Sequence, residues 1–337
     1  MYFYLYYVII VDEKKRKWGK MMKITVLDRE SIGLDTPLGG LDAFGFVEVF
    51  DRTAPEDIIE RISDSDVIII NKVKITREII EASPKLRLIC IFATGYDSID
   101  VRAARERGVA VCNVPGYSTS SVTAMTVATV LALSTHLFNF SDYVKSGKYS
   151  ASGLPNRLTP VFHDLSGKVW GIIGCGDIGG SVAAVATALG ARVITYQRHR
   201  HSVYDTVSLE ELCRTSDIIT VHCPLNDESR GMINTDTVSL MKNGVILVNC
   251  ARGAVFSEGD VAEAVINGKI GGLGCDVYSN EPFSDEHPYT RLLDFDNVIF
   301  TPHCAWASYE ARVKCIGIIC DNINSFFNNK ILNRVDI

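Results

Sequence analysis

The 337-residue sequence contains ten cysteines, at 90, 112, 175, 213, 223, 250, 275, 304, 315 and 320, yet it has no CxxC pair. Neither a disulfide framework nor a zinc site is expected from cysteines scattered in this way. Most of the cysteines sit in apolar runs such as "RLIC" and "CIGIIC", the usage of reduced, buried thiols. The expectation is a cytoplasmic protein without a metal site. Positive charge is not in excess either: 34 Lys and Arg stand against 40 Asp and Glu, a net charge of −6. That balance leaves no footprint for nucleic acid. The basic cluster "RHRH" (198–201) is local and suits one bound anion rather than a polyanion track. No uninterrupted apolar run is long enough to span a bilayer, because Thr, Ser and His136 break up the stretch Val122–Phe140. No membrane partner is expected. Internal repeats and low-complexity segments are lacking as well.

What remains is the composition of a globular protein, 47% hydrophobic and 22% charged, long enough for two domains. The opening "MYFYLYYVIIVDEKKRKWGK" has an apolar run too short to cross a membrane, with its basic residues after the run. Residues 1–21 are therefore read as an extension outside the fold, a weak membrane anchor being the alternative. From Met22 onward, Val/Ile-rich runs alternate with helical patterns. The runs "KITVLD" (23–28), "GFVEVF" (45–50), "DVIIIN" (66–71), "LRLICIF" (86–92) and "VAVCNV" (109–114) predict strands, with "APEDIIERI" and "TREIIEA" as helices between them. Alternation of this kind implies a doubly wound, mostly parallel sheet. The series stops at "NVPGYSTSS" (113–121), after which one buried helix is expected from about Ser121 to Phe140.

A second α/β series follows, with strands at "KVWGIIG" (168–174), "ARVITY" (191–196), "DIITVHC" (217–223), "GVILVNC" (244–250), "GGLGCDV" (271–277) and "NVIFTPH" (297–303). The amphipathic stretch 308–329 closes the chain as a helix. In "GIIGCGDIGG", Gly174, Gly176 and Gly179 form GxGxxG between a strand and a helix. The first glycine makes the tight turn, the second admits a pyrophosphate, and the third lets helix pack on strand. Asp177 and Ile178 open that helix, whose free amides would receive the pyrophosphate. A lone GxGxxG is often only a turn, but here strand, helix and next strand arrive at the expected spacing. The next strand ends "TYQRHR" (195–200), with Gln197 where a carboxylate would bind the ribose of NAD and repel a 2′-phosphate. Arg198, helped by Arg200, could instead contact that phosphate, so the pattern leans slightly to NADP(H) over NAD(H) and is compatible with use of both.

Three polar residues then follow apolar strands. Arg252 ends "VILVNCAR", Glu281 closes "GCDVYSNE", and His303 sits in "FTPHCAWAS". Ligands of open α/β sheets bind beyond the carboxyl ends of the strands, so all three can share one cleft. A ketone that accepts a hydride leaves an oxyanion needing a proton, and histidine suits that task. A neighbouring carboxylate orients such a ring and raises its pKa, and an arginine can grip a substrate carboxylate. Taken singly, each of the three has a purely structural reading at least as good. Together, after a dinucleotide motif, they favour chemistry.

With "ATGYDSIDVRAARERGVAVCNVPGYSTSSV" (93–122), "GIIGCGDIGG" (171–180), "HCPLNDESRGMIN" (222–234), "LMKNGVILVNCARGAV" (240–255), "GCDVYSNEP" (274–282) and "TPHCAWAS" (301–308), the chain resembles the NAD(P)-dependent D-isomer-specific 2-hydroxyacid dehydrogenases over roughly residues 22–320. The resemblance implies an oxidoreductase of a small 2-oxo or D-2-hydroxy acid, with the hydroxypyruvate and glyoxylate reductases most alike. It assigns Arg252 to substrate binding and catalysis, His303 to general acid/base work and Glu281 to the carboxylate beside it. Asp276 would hold the nicotinamide carboxamide. Cys223, Pro224, Cys250 and Ala251 would join the glycines, Gln197, Arg198, Arg252 and His303 around the coenzyme. Thr94 and Gly95 would receive the substrate carboxylate, with Val73 on the facing loop.

The architecture implied is two Rossmann-like α/β domains: a substrate domain of 22–118 and 303–337, and an inserted coenzyme domain of 119–302. A homodimer through the coenzyme domain is also implied. Two departures stand out. Ala124 occupies a position where relatives often carry Glu or Gln, and Glu281 stands where formate dehydrogenases place Gln. The alternative from another functional class is an NAD(H)-sensing binding protein similar to the C-terminal-binding-protein corepressors.

Overall fold

The computed structural model describes residues 22–197 and 203–337. The reading of residues 1–21 and the assignments to Arg198 and Arg200 fall outside the described residues. The chain divides into two compact units, one made of the residues up to Ser118 together with Ala307–Ile337, the other of Thr119–Trp306.

The first unit carries β1 (Met22–Val26), β2 (Gly45–Val49), β3 (Val67–Ile70), β4 (Leu88–Ile91) and β5 (Ala110–Cys112). They form one parallel sheet in the order β2-β1-β3-β4-β5, a doubly wound topology. The sequence "VIII" of β3 is apolar without alternation because both of its faces are covered. On one side lie α1 (Ile58–Ile62), α2 (Arg77–Glu81) and α3 (Val101–Glu106), which bury Ile58, Ile62, Ile79, Ile80, Ala103 and Ala104 against Ile68 and Ile70. The C-terminal helix, Tyr309–Phe327, packs against β4.

The second unit opens with α4 (Thr119–Ser134), α5 (Leu137–Lys145) and α6 (Lys148–Ser152). The single helix expected to run to Phe140 is thus two, bent by 66°. The hydroxyls of Ser134 and Thr135 both turn back to the carbonyl of Leu131, and His136 takes a left-handed backbone with φ of 53°, which ends the first helix. Among the described residues no single helix is long and apolar enough to cross a membrane.

Its sheet runs β12-β11-β10-β9-β6-β7-β8, all parallel, from β6 (Val169–Ile173), β7 (Arg192–Tyr196), β8 (Asp205–Thr206), β9 (Ile218–Val221), β10 (Val245–Asn249), β11 (Ile270–Cys275) and β12 (Val298–Phe300). The order reverses between β6 and β9, the place where open α/β sheets bind ligands. The helices between the strands are α7 (Asp177–Ala188), α8 (Leu209–Thr215), α9 (Thr235–Leu240) and α10 (Glu258–Ile266). β11 reads "IGGLGC", a poor strand sequence by propensity. Contact with α4 explains it, since a Cβ on Gly274 would lie 2.3 Å from Thr129 and one on Gly272 3.4 Å from Leu133.

The second crossing falls after Trp306 rather than at 302/303. The segment stays with the second sheet because the Asp276 carboxylate, at the end of β11, accepts the amides of Cys304 and Ala305 at 2.9 Å each. His303 therefore belongs to the unit that carries Arg252 and Glu281.

Candidate active site

The turn after β6 shows why glycine is needed there. Gly174 has φ of +89°, and a Cβ on it would come within 2.9 Å of Cys223 backbone atoms. A Cβ on Gly179 would lie 2.1 Å from the carbonyl of Gly174, so α7 rests directly on the turn. Gly176 meets nothing within 4 Å, which leaves its backbone open to a ligand. Asp177 and Ile178 begin α7 as expected.

Beside this turn lies a cavity of about 490 Å³, bordered by Gly174, Gly176, Gln197, His222, Cys223 and Pro224 among others. Three buried polar atoms on its wall have no hydrogen-bond partner: Gln197 Nε2, His222 Nδ1 and His222 Nε2. Burial lowers the His222 pKa to about 4, so its ring is neutral, offering one donor and one acceptor. Unsatisfied polar atoms are costly in a folded protein, and a ligand rich in hydroxyls and phosphates would satisfy them. The residues present thus fit a dinucleotide. His222 stands outside the residues expected from the sequence, although a polar residue straight after buried β9 was the signal.

After β10 the chain turns through Cys250, Ala251 and Arg252. Asn249, fully buried, holds the turn: its Oδ1 accepts the Ala251 amide at 2.9 Å and its Nδ2 donates to the Arg252 carbonyl at 2.9 Å. One Arg252 guanidinium nitrogen donates to the carbonyl of Ala251 at 2.8 Å. Burial pushes the Cys250 thiol up to about 12, so it is inert as a nucleophile.

Glu281 and His303 meet. Glu281 Oε2 lies 2.6 Å from His303 Nδ1, and Oε1 accepts the Tyr278 amide at 3.1 Å. Both side chains are a little over one quarter exposed, open enough to reach a substrate. His303 adopts φ of 51° in a tight turn closed by its amide on the Thr301 carbonyl. Asp276 is almost fully buried, and besides the two amides its Oδ1 accepts the Thr301 hydroxyl at 2.5 Å. Its carboxylate thus anchors the His303 segment, with little acceptor capacity left for the carboxamide expected there.

In the first unit, Val73 and the pair Thr94–Gly95 follow β3 and β4, strands that pair up to Ile70 and Ile91. The buried Asp28 carboxylate accepts the amides of Asn71, Lys72 and Val73 at 2.5 to 3.2 Å. Its pKa is raised by burial, opposed by those amides. The Val73 amide is therefore already donated within the domain. Thr94 donates its hydroxyl to the Val114 carbonyl at 2.8 Å, which fixes the turn leading to Gly95. Among the described residues no group of three or more His, Cys, Asp or Glu could hold a metal ion.

A seven-stranded parallel sheet, a glycine turn with unsatisfied polar walls and a carboxylate–imidazole pair at the strand ends define a nicotinamide-dependent oxidoreductase. A family model for the D-isomer specific 2-hydroxyacid dehydrogenase NAD-binding domain matches residues 127–305. A hydroxypyruvate reductase of Blautia hydrogenotrophica is 36% identical over 324 residues, covering 94% of this chain and 100% of the relative. Two solved structures superpose closely. An acyclic imino acid reductase in complex with NADPH and D-Arg gives a TM-score of 0.84 at 29% identity, covering 93% of this chain and 100% of the other. A D-lactate dehydrogenase from Aquifex aeolicus, complexed with NAD and lactic acid, gives 0.83 at 26% identity, covering 94% and 99%. The chain belongs to the D-isomer-specific 2-hydroxyacid dehydrogenase family, an NAD(P)-dependent oxidoreductase of small 2-oxo and 2-hydroxy acids.

Proposed function

We propose that this chain reduces hydroxypyruvate or glyoxylate to the corresponding 2-hydroxy acid, with His303 as the proton donor. The observation that carries the assignment is the 2.6 Å contact between His303 Nδ1 and Glu281 Oε2. With Nδ1 held by the carboxylate, Nε2 is the ring nitrogen that delivers the proton to the developing alkoxide. Glu281 orients the ring and stabilises its charged form, and Arg252 takes the carboxylate of the 2-oxo acid. Bound NAD(P)H supplies the hydride, and the balance is 2-oxo acid plus NAD(P)H plus one proton to 2-hydroxy acid plus NAD(P)⁺. The small-acid assignment draws on the similarity to a hydroxypyruvate reductase.

For the coenzyme we favour NADP(H). Gln197, with Nε2 buried in the cavity wall, brings a hydrogen bond without the repulsion a carboxylate would exert on a 2′-phosphate. A reducing, cytoplasmic setting fits the ten free thiols. The test is oxidation of NADPH and NADH with hydroxypyruvate, glyoxylate, pyruvate and phenylpyruvate, in wild type and in His303→Ala. The variant should lose about 10²–10⁴-fold in kcat while coenzyme affinity holds. Absence of turnover with all four acids, or an unimpaired His303→Ala, defeats the reading.

A further inference from the structure

Behind the His303–Glu281 pair lies a buried polar cluster to which the chemistry above assigns no role. Glu258 opens α10 and His287 lies beyond the Glu281 loop, and both side chains are less than one tenth exposed. The Glu258 carboxylate accepts the Ser279 amide at 2.9 Å, the Ser279 hydroxyl, and His287 Nε2 at 2.9 Å. His287 Nδ1 accepts the Tyr289 amide at 3.2 Å, so the ring proton sits on Nε2 and points to Glu258. Phe283 stacks on the imidazole at 4.8 Å, and the Tyr278 ring stands edge-on at 6.2 Å. Serine, histidine and glutamate in contact suggest a hydrolytic triad, but the carboxylate lies between the other two. The Ser279 hydroxyl meets the Glu258 carboxylate and not the imidazole, so the serine–histidine contact of a nucleophilic triad is missing.

The cluster instead holds a loop. Ser279 stands between Tyr278, whose amide binds Glu281, and Glu281 itself, which binds His303. Tyr278 donates its hydroxyl to the carbonyls of Cys275 and Thr301, closing the loop on the strand ends. On the other side the loop backbone presses on Gly253, where a Cβ would come within 1.9 Å of the Tyr278 carbonyl carbon, and Gly253 directly follows Arg252. A buried carboxylate with a neutral imidazole is a poor way to gain stability, since apolar packing would serve as well. It is a good way to fix one loop conformation.

We propose that Glu258 and His287 are positioning residues for the reaction: by fixing the Tyr278–Glu281 loop they set the contact between Glu281 and His303. The inference rests on the reading of His303 and Glu281 as the acid/base pair. Its test uses the full chain with its preferred coenzyme and 2-oxo acid, and compares Glu258→Gln, Ser279→Ala, His287→Gln and His287→Leu with His303→Ala. Glutamine at 258 keeps one acceptor but sets an amide N–H against the donors of Ser279 and His287. Glutamine at 287 can still donate to Glu258; leucine cannot.

The expected result for Glu258→Gln and His287→Leu is a kcat lower by up to about 100-fold, the scale of a misplaced catalytic group, with NAD(P)H affinity within about twofold. The solvent deuterium isotope effect on kcat should rise, because proton delivery becomes slower. Simple loss of folded enzyme would lower the rates in H₂O and D₂O alike. His287→Gln should recover most of the activity, and Ser279→Ala should fall between. If Glu258→Gln fails to fold, the two His287 variants and Ser279→Ala decide the matter. Equal activities for His287→Gln and His287→Leu, or an isotope effect unchanged in every variant, would overturn the proposal. Should His303→Ala itself run at the wild-type rate, the acid/base reading fails instead, a result the other variants cannot imitate.

Discussion

A histidine kept neutral by burial ties coenzyme recognition to acid stability. His222 sits in the coenzyme cavity with neither ring nitrogen bonded to protein, and its pKa of about 4 lies below the 6.5 of an ordinary imidazole. As the pH falls through 6.5 the unfolded chain takes up a proton at this residue and the folded chain does not. The stability associated with neutral His222 is therefore complete above 6.5 and is lost on the way down to 4. The difference in pKa corresponds to roughly 3–4 kcal/mol. Denaturant unfolding of wild type and His222→Asn at several pH values between 7 and 4.5 reads this directly. Wild type should lose more stability than the variant over that interval, and parallel curves would show that the folded protein protonates His222 freely. Saturating coenzyme alters the result, because its hydroxyls or phosphate oxygens give the ring nitrogens the partners they lack.

Secondary structure and site differed in how far they could be read from the sequence. Val/Ile runs mark every strand except glycine-rich β11 and the two-residue β8, the latter too short to carry a periodic signal. Glycine-rich β11 was readable only through its place in the strand–helix rhythm, since its stability comes from α4 lying close against it. The break after Ser134 was missed because Ser, Thr and His end a helix here through local back-bonding, while the apolar pattern runs on. Arg252, Glu281 and His303 were recognisable as polar residues just past apolar strands. Glu258 and His287 were not, because what sets them apart is burial, and only the folded chain shows it. The glycine turn allows a sharper test, since Gly179 and Gly176 serve different purposes. Alanine at 179 drives a Cβ into the carbonyl of Gly174 and should cost about 1–3 kcal/mol of stability along with coenzyme affinity. Alanine at 176 meets no protein atom, so thermal stability should hold while NAD(P)H binding weakens by about 10–100-fold, the worth of lost bonds to a charged group. Equal effects of the two variants on Tm would contradict the division of labour.

For the molecule as a whole, the described surface of the coenzyme unit leaves a long run of large apolar side chains uncovered. Between Leu137 and Phe162 the chain leaves Leu137, Phe138, Val144, Leu154, Leu158, Val161 and Phe162 exposed, Leu158 by 77% and Val161 by 67%. The segment is nevertheless ordered by its own contacts: Phe140 packs edge-on against Phe162 at 6.1 Å, Arg157 lies over the Tyr143 ring at 4.0 Å, and the Tyr149 hydroxyl donates to the Pro155 carbonyl at 3.1 Å. An ordered segment that shows this many large apolar side chains to water marks an interaction surface. The family resemblance implies that a second copy of the chain covers this surface, an expectation that sedimentation tests. Asp142, Lys145, Lys148 and Arg157 are the charged side chains of the segment, fewer than its exposed apolar ones, so association should be driven by apolar burial and depend only modestly on salt. Sedimentation at micromolar protein should then give twice the chain's mass, unchanged between low and high salt. Leu158→Glu and Val161→Glu place a charge where the partner would exclude water, and the double variant should sediment as a monomer with its coenzyme cavity intact. A wild type that stays monomeric through that concentration range rules out the dimer. If the double variant stays dimeric, the interface lies elsewhere on the unit.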